Sequence, residues 1–289
     1  MNKIVKERVT YVLFVSGALI FFLVFIIYPM LMGFCYSFTD FDGIKTDISF
    51  VGLKNYLAVF SNKAFKDSIG FTVKYAIVTL LASNVTGFLL AMIVNSGLKT
   101  KSFLRTVFFL PNVISLVTVG FLWNFIASKL IPQIGELLGI EFLQRNLLAK
   151  GESAFGLICL VAVWQGVGYI MLIYLAGLQK VPADMLEASA IDGANRWQRI
   201  WYIILPSIRS SAGICIFLTL VNGLKVYDLP YALTAGGPYG ATQSIAYNIY
   251  MEAFTRGNYP LATAESFIFC IVVGIVAVMQ MRLVNGKES

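Results

Sequence analysis

The sequence predicts an all-α membrane protein with six transmembrane helices. Of its 289 residues, 58% are hydrophobic and only 13% are charged, and its mean hydropathy is +0.78. Charged residues make up about a quarter of an ordinary soluble domain, so this composition excludes that class. Four charge-free stretches of 31, 24, 23 and 27 residues each exceed the roughly 20 residues that cross a bilayer as a helix.

The charge-free stretches place the first four spans. They lie between Arg8 and Asp40, between Lys74 and Lys99, between Arg105 and Lys129, and between Glu152 and Lys180. The first follows a basic start, but its apolar run is about twice as long as the core of a signal peptide, so we expect an uncleaved anchor. Pro111 is expected to kink the third span, because proline removes a backbone hydrogen bond. In the fourth span, Gly166 and Gly168 allow another helix to approach closely.

Two more spans contain a few charged residues. One runs from about Ile208 to Leu233 and carries Lys225 and Asp228, and the other runs from about Pro260 to Val284 and carries Glu265 and Arg282. Lys225 and Asp228 are three residues apart, on one helical face where they can pair. These two, Lys74 and Glu265 fall near the outer ends of their spans, where snorkelling or pairing explains a charge more simply than a transport role does.

The distribution of charge predicts that both ends of the chain are cytoplasmic. With this orientation the cytoplasmic segments hold twelve Lys and Arg residues and five acidic ones, while the outer loops hold eight of each kind. Basic residues are enriched in cytoplasmic loops, so ordinary topology explains the net charge of +7 without a nucleic-acid partner. We expect an anchor helix with its outer loop at 1–67 and a membrane core at 68–284, with a cytoplasmic segment at 180–206.

The sequence lacks the residues of several common active sites. It contains no histidine, which excludes a Ser-His-Asp triad and an HExxH zinc site, and it has no GxxxxGK[ST] phosphate-binding loop. We therefore expect no catalysis, no cofactor and no metal. The lack of histidine and of paired deep carboxylates argues against an intramembrane enzyme. The lack of a clear repeat and of a deep ionisable pair argues against a secondary transporter or channel.

A polar island interrupts the apolar sequence at residues 180–206, which we call the 180–206 segment. Asp184, as a helix cap, and Glu187 form a capping-box-like pattern that predicts the start of a short helix. Gly193 is expected to end it, because glycine adopts the left-handed conformation at little cost. Four apolar residues then recur at helical spacing and predict a second short helix: Trp197, Ile200, Trp201 and Ile204. Such a corner fits either a groove on a soluble partner or the lipid headgroup region.

The same segment resembles the EAA loop of importer-type ABC permeases. That pattern is E-A-A, three residues, G, nine residues and I-x-L-P, and the sequence matches it at Glu187, Ala188, Gly193, Ile203, Leu205 and Pro206. Ser189 replaces the second alanine, which is a small change in volume. In the family this loop is the coupling helix that docks on the ATP-binding subunit. The resemblance therefore implies that these residues couple the protein to an ATPase partner.

Two other stretches are similar to the carbohydrate branch of this family, which includes maltose and glycerol-phosphate permeases. They are residues 164–179, which begin with Trp164-Gln165, and residues 228–238, which end with Gly236-Gly237-Pro238. The resemblance implies a type I ABC importer permease bundle in a bacterial inner membrane. It also implies a carbohydrate substrate and three kinds of partner: a second related permease, ATP-binding subunits and an external solute-binding protein.

Polar and aromatic residues inside the spans are candidates for a substrate pathway. A sugar site combines hydrogen-bonding groups for the hydroxyls with aromatic faces for the C–H surface. The candidates are Asn84, Trp164, Gln165, Tyr169, Asn222 and Tyr227. Each can instead serve interhelical hydrogen bonding or core packing, because polar groups within a membrane also hold helices together.

Overall fold

The chain is almost entirely helical. A computed structural model describes residues 3–96 and 99–285, with side chains for 10–96 and 99–282. Its α-helices are α1 (Lys3–Phe22), α2 (Tyr28–Tyr36), α3 (Lys54–Ser61), α4 (Lys63–Asn95), α5 (Lys101–Val113), α6 (Leu116–Phe125), α7 (Ile131–Leu138), α8 (Glu141–Gln144), α9 (Gly151–Leu178), α10 (Ala183–Ile191), α11 (Arg196–Arg199), α12 (Leu205–Ser207), α13 (Arg209–Leu224), α14 (Ile245–Tyr250) and α15 (Tyr259–Asn285). Five-residue π-helical turns lie at Leu23–Ile27, Ile126–Leu130, Ile200–Ile204, Pro230–Thr234 and Met251–Thr255.

In the part of the chain that the structure describes, the long apolar helices number five or six, in agreement with the predicted bundle. Within the described residues, five helices are long and apolar enough to cross a membrane: Thr10–Tyr36, Lys63–Asn95, Leu116–Leu138, Gly151–Leu178 and Tyr259–Arg282. A sixth span is present when the helix pair Arg196–Ser207 and Arg209–Leu224, which is bent by 76°, is counted as one span. The predicted cytoplasmic position of the two chain ends involves residues 1–2 and 286–289, which lie outside the described residues.

The third span differs from the prediction in its position. It was expected between Arg105 and Lys129 with a kink at Pro111, but the spanning helix begins at Leu116 and continues past Lys129 to Leu138. Pro111 lies in the separate helix α5, which ends at Val113. The backbone is extended at the two residues that follow, with ψ near 136° and 134°. Proline removes a helical hydrogen bond, and the chain breaks within one turn after it.

The fifth span is shorter than predicted. Helix α13 ends at Leu224, and Lys225 is its C-terminal cap instead of a residue inside the span. Two non-helical residues follow before the next helical turn begins at Asp228. The expected pairing is wrong, because Lys225 and Asp228 do not lie on one continuous helix and form no ion pair within the described part of the chain.

The described residues form two compact units. The smaller comprises the residues up to Asn62 together with Ile249–Phe269, and the larger comprises Lys63–Asn248 together with the residues from Cys270 onward. The predicted division into 1–67 and 68–284, which was drawn from the anchor helix and its loop, stays a prediction.

The larger unit is built around α4 and α9. Gly87 of α4 lies so close to α9 that a Cβ there would be 2.7 Å from the Cγ2 of Ile170. Small residues allow membrane helices to pack at such short range. One buried apolar cluster includes Tyr75 of α4 and Leu233 of the turn at Pro230–Thr234. A second joins α9 to Ile204 at the end of the 180–206 segment, so that segment is anchored in the core of this unit.

The smaller unit packs the end of the first span against the start of α15. The rings of Phe34 and Phe267 meet edge to face with their centroids 5.0 Å apart. Asn55 of α3 donates hydrogen bonds to the backbone carbonyls of Ser37 and Thr39, at 2.8 Å each. These contacts tie the loop after α2 to the helix that follows it.

Two buried carboxylates share one hydrogen-bond donor in the smaller unit. The Nδ2 of Asn62 lies 3.0 Å from an oxygen of Glu252 and 3.0 Å from an oxygen of Glu265. Glu265 is fully buried, and Glu252 also pairs with Arg256. Glu265 lies near the predicted outer end of its span and Glu252 lies in a predicted outer loop, so the expected absence of paired carboxylates deep in the membrane stays a prediction. The sequence alone could not predict this pair, because both carboxylates bind Asn62, which is 190 residues from Glu252 in the chain.

Replacing Asn62 with leucine is expected to lower the free energy of unfolding by about 2 kcal/mol, because two buried carboxylates lose a donor at once. The measurement is the thermal unfolding midpoint of the protein purified in detergent. In a Glu265→Gln background the same replacement should cost less, since one of the two charges has been removed. Equal costs in both backgrounds would show that the amide does not stabilise the carboxylates.

Candidate functional site: the 180–206 corner and a polar cavity

The first half of the 180–206 segment is the helix α10, and Gly193 ends it as predicted. Gly193 has a φ of +76°. Its N–H donates to the carbonyl of Ala190, and the N–H of Ala194 donates to the carbonyl of Ser189. This pair of bonds is the Schellman motif, which satisfies the last carbonyls of a helix and favours glycine at this position.

The start of α10 differs from the prediction. Pro182 is the N-terminal cap, and it makes no side-chain capping bond. Asp184 lies in the first turn instead, where a carboxylate is stabilised by the partial positive charge of the helix end. The predicted capping box at Asp184 and Glu187 is therefore wrong, because the helix begins one residue before Asp184.

A capping box does form at the second helix of the corner. Asn195 Oδ1 accepts from the N–H of Gln198 at 2.9 Å, and Gln198 Oε1 accepts from the N–H of Asn195 at 2.8 Å. The spacing Asn-x-x-Gln was visible in the sequence and could have indicated it. The predicted second helix then continues from α11 through a π-helical turn into α12, which contains Pro206.

The corner presents apolar side chains on its surface. Ile191 is 87% exposed, and four other large apolar residues of the segment are also exposed: Met185, Trp197, Trp201 and Tyr202. Of the motif residues, Glu187, Ala188, Gly193 and Pro206 are exposed, and Ile203 and Leu205 are half-buried. Ser189 is buried, and its hydroxyl donates to the carbonyl of Leu186 at 2.7 Å. The change from alanine to serine is therefore accommodated by a satisfied hydrogen bond.

The larger unit contains a cavity of about 520 Å³ between α4, α9 and α13. It is lined by hydroxyl and amide side chains together with aromatic rings: Tyr75, Thr79, Ser83, Asn112, Gln165, Tyr169, Thr219, Asn222 and Tyr227. Its charged lining residues are Lys225 and Asp228. This volume lies within the range of about 300–1,000 Å³ typical of small-molecule sites.

Four of the six predicted pathway residues line this cavity. They are Gln165, Tyr169, Asn222 and Tyr227. Gln165 is largely buried, and its Nε2 lies 3.3 Å from the carbonyl oxygen of Ile114. It therefore also supplies a donor to the backbone at the break before α6. The ring of Tyr227 stacks on that of Tyr231 with a centroid distance of 5.5 Å, which orients it at the cavity.

The other two predicted pathway residues, Asn84 and Trp164, do not line the cavity. Asn84 joins three helices: its Nδ2 donates to Thr219 Oγ1 at 2.9 Å, and its Oδ1 accepts from the hydroxyl of Tyr174 at 2.8 Å. Trp164 packs edge to face on Trp123. These contacts match the alternative role of interhelical bonding and packing, and they place Asn84 directly behind Thr219, which does line the cavity.

Several cavity residues were not among the predicted ones. Tyr75, Thr79 and Ser83 all face the cavity from α4. Their spacing of four residues puts them on one helical face, and this regularity was a usable signal in the sequence. Asn112 had no comparable signal, because its position depends on the break between α5 and α6.

The chain matches a known family of transport proteins over most of its length. Residues 83–287 match the model of the family described as "Binding-protein-dependent transport system inner membrane component". The chain is 36% identical to the probable starch degradation products transport system permease protein of Thermoanaerobacterium thermosulfurigenes, across 99% of this chain and 97% of the relative. It is 35% identical to the multiple sugar-binding transport system permease protein of Streptococcus mutans, across 95% of each chain.

The fold agrees with this match. A bacterial ABC transporter involved in the import of the acidic polysaccharide alginate has a chain that superposes with a TM-score of 0.85 at 21% identity, covering 99% of each chain. The predicted permease bundle is thereby confirmed, and the family is one of transport permeases and not of enzymes. This chain therefore belongs to the multi-pass inner-membrane permease components of binding-protein-dependent transport systems, the family to which the resemblance of the 180–206 segment pointed.

Proposed function

We propose that this chain is a membrane subunit of an ATP-driven sugar importer, and that the 180–206 segment receives force from a partner ATPase. The names of the two relatives support a sugar as the substrate, since they refer to starch degradation products and to multiple sugars. The single observation that carries the coupling role is the rigid, capped corner with its exposed apolar side chains. In this proposal the motif residues Glu187, Ala188, Gly193, Ile203, Leu205 and Pro206 form the docking element.

The corner suits a protein groove because hydrogen bonds fix its backbone on both sides of Gly193. The Schellman motif holds the end of α10, and the capping box holds the start of α11. A preorganised helix loses little conformational entropy when it docks, so it transmits displacement well. Ile204 anchors the segment in the same buried cluster as Tyr174 of α9, and this cluster also includes Ile208, which lies just after the segment. The hydroxyl of Tyr174 donates a hydrogen bond to Asn84, and Asn84 donates one to Thr219, which lines the cavity. These contacts would transmit a movement of the segment to the substrate.

The cavity is the proposed site of the sugar. Its amide and hydroxyl groups can bond sugar hydroxyls, and Tyr169 and Tyr227 offer aromatic faces for the C–H surface. Alternating access would expose this cavity to one side of the membrane at a time, with ATP binding and hydrolysis in the partner biasing the two states.

The remaining partners complete the assembly. A second related permease would pair with this chain, ATP-binding subunits would dock on the 180–206 segment, and an external solute-binding protein would deliver the sugar. The orientation that places this segment beside the ATPase has both chain ends in the cytoplasm, in agreement with the excess of basic residues on that side.

A cross-linking experiment tests the docking role. In a background without Cys35, Cys159, Cys215 and Cys270, a cysteine replaces Ile191 and is labelled with benzophenone maleimide in the assembled transporter. We expect illumination to capture the ATP-binding subunit. Leu137→Cys is the matched control, because Leu137 is 86% exposed on α7, at the predicted outer end of the third span and therefore on the side of the membrane opposite the ATPase. Capture from position 137, or from neither position, would contradict the proposal.

A further inference from the structure

The cavity carries one ammonium group and one carboxylate that do not pair. Lys225 and Asp228 both line it. Neither side chain makes an ion pair or a hydrogen bond within the described part of the chain. Lys225 caps the C-terminus of α13, and two non-helical residues separate it from Asp228. Two opposite charges are therefore available to a solute from different positions in one polar cavity.

The charges in the lining sum to zero before any solute enters. The carbonyl end of α13 adds a partial negative charge beside Lys225, which offsets part of its positive charge. An anionic solute would meet one favourable and one unfavourable charge, and it would gain little for the cost of losing its water. A cationic solute would likewise meet one favourable and one unfavourable charge.

A neutral, hydroxyl-rich solute can use both charges. Its hydroxyl groups can donate to Asp228 and accept from Lys225, and hydrogen bonds to charged groups are about twice as strong as neutral ones. A compact zwitterion could also bond both charges, but it would not use the hydroxyl of Ser83 or the amide of Asn222, which line the same cavity. The hydroxyl-rich lining favours the neutral polyol.

We propose that Lys225 and Asp228 are specificity-determining residues that admit uncharged oligosaccharides to the cavity and reject carboxylated or phosphorylated ones. This inference rests on the proposed function and narrows its substrate class. The rejection comes from Asp228, whose carboxylate repels an anion, while Lys225 contributes a strong donor to a sugar oxygen.

The test measures ligand binding to the permease as it exists in the assembled transporter in lipid nanodiscs, without the solute-binding protein. The probes are the neutral sugars maltotriose and raffinose, the anionic sugar trigalacturonate and the zwitterion glycine betaine. The readout is the thermal unfolding midpoint as a function of probe concentration. We expect at least one neutral sugar to stabilise the wild-type protein, and we expect the two charged probes to bind it much more weakly.

The variants separate charge selection from general effects. Asp228→Asn gives the cavity a net positive charge and should tighten trigalacturonate binding by about tenfold relative to the neutral sugar. Lys225→Gln should weaken the neutral sugar and leave trigalacturonate excluded. Asp67→Asn is the matched control, because Asp67 is exposed and does not line the cavity, and it should change neither affinity.

The inference is overturned if the wild-type protein binds trigalacturonate or glycine betaine as well as the neutral sugars, if no neutral sugar binds, or if Asp228→Asn leaves the ratio of affinities unchanged. The outcome of the Ile191 cross-link is independent of these results. If the ATPase docks on the 180–206 segment but the cavity does not discriminate between charged and neutral sugars, the proposed function holds and this inference is wrong.

Discussion

Gly193→Val is expected to abolish substrate-stimulated ATP hydrolysis in the assembled transporter while membrane insertion and purified yield stay normal. Gly193 has a φ of +76°, and a non-glycine residue in this conformation costs about 1–2 kcal/mol, with β-branched residues worst. We expect the end of α10 to unwind and so relieve the strain, which would displace the exposed apolar side chains of the corner. The measurement is the ratio of ATPase activity with and without substrate-loaded binding protein.

Gly193→Asn is the control for this prediction. A Cβ at position 193 meets no atom within 4 Å, so a side chain fits and only the backbone conformation is at issue. Asparagine tolerates the left-handed region better than other non-glycine residues, and this variant should keep most of the stimulation. Equal activity of the valine and asparagine variants would show that the shape of the corner does not matter for coupling.

Gly168→Ala is expected to destabilise the protein strongly, although it adds only one methyl group. A Cβ on Gly168 of α9 would lie 2.1 Å from the carbonyl oxygen of Phe108 in α5. Backbone atoms cannot yield as a flexible side chain can, so α5 and α9 would have to separate. We expect the free energy of unfolding to fall by about 3 kcal/mol, measured as a lower thermal unfolding midpoint and a lower yield of monodisperse protein.

The control for Gly168 lies two residues earlier on the same helix. A Cβ on Gly166 meets no atom within 4 Å, and alanine has the higher helix propensity. Gly166→Ala should therefore unfold at the wild-type temperature or slightly above it. If both variants unfolded at the same lower temperature, the close approach of α5 would not be the reason for glycine at position 168.

The two glycines also show where sequence reasoning stops. Both were expected to permit close helix contact, and the sequence offered no way to tell them apart. Of the two, only Gly168 touches another helix, while Gly166 faces the cavity. The direction in which a residue of a buried helix points depends on its neighbours, because α9 is apolar around most of its circumference and shows no polar face.

Part of the cavity lining was among the residues singled out from the sequence, and their role in a substrate pathway stays a prediction. Tyr169, Asn222 and Tyr227 were chosen for their side-chain chemistry, and they do line it. Asn84 was chosen on the same grounds, but it bonds Tyr174 and Thr219 between helices. The sequence could not distinguish these cases. An asparagine that binds a solute and one that binds a neighbouring helix have the same side chain and fall at similar positions within a span.

By itself, the sequence determined the number of spans, the corner at Gly193 and the resemblance to the family, because span length, glycine conformation and motif spacing are local properties of the chain. Only the tertiary structure decided where the third and fifth spans end, which residues surround the cavity, and that Asn62 joins Glu252 to Glu265. Those features depend on contacts between residues far apart in sequence, whose partners no local pattern specifies.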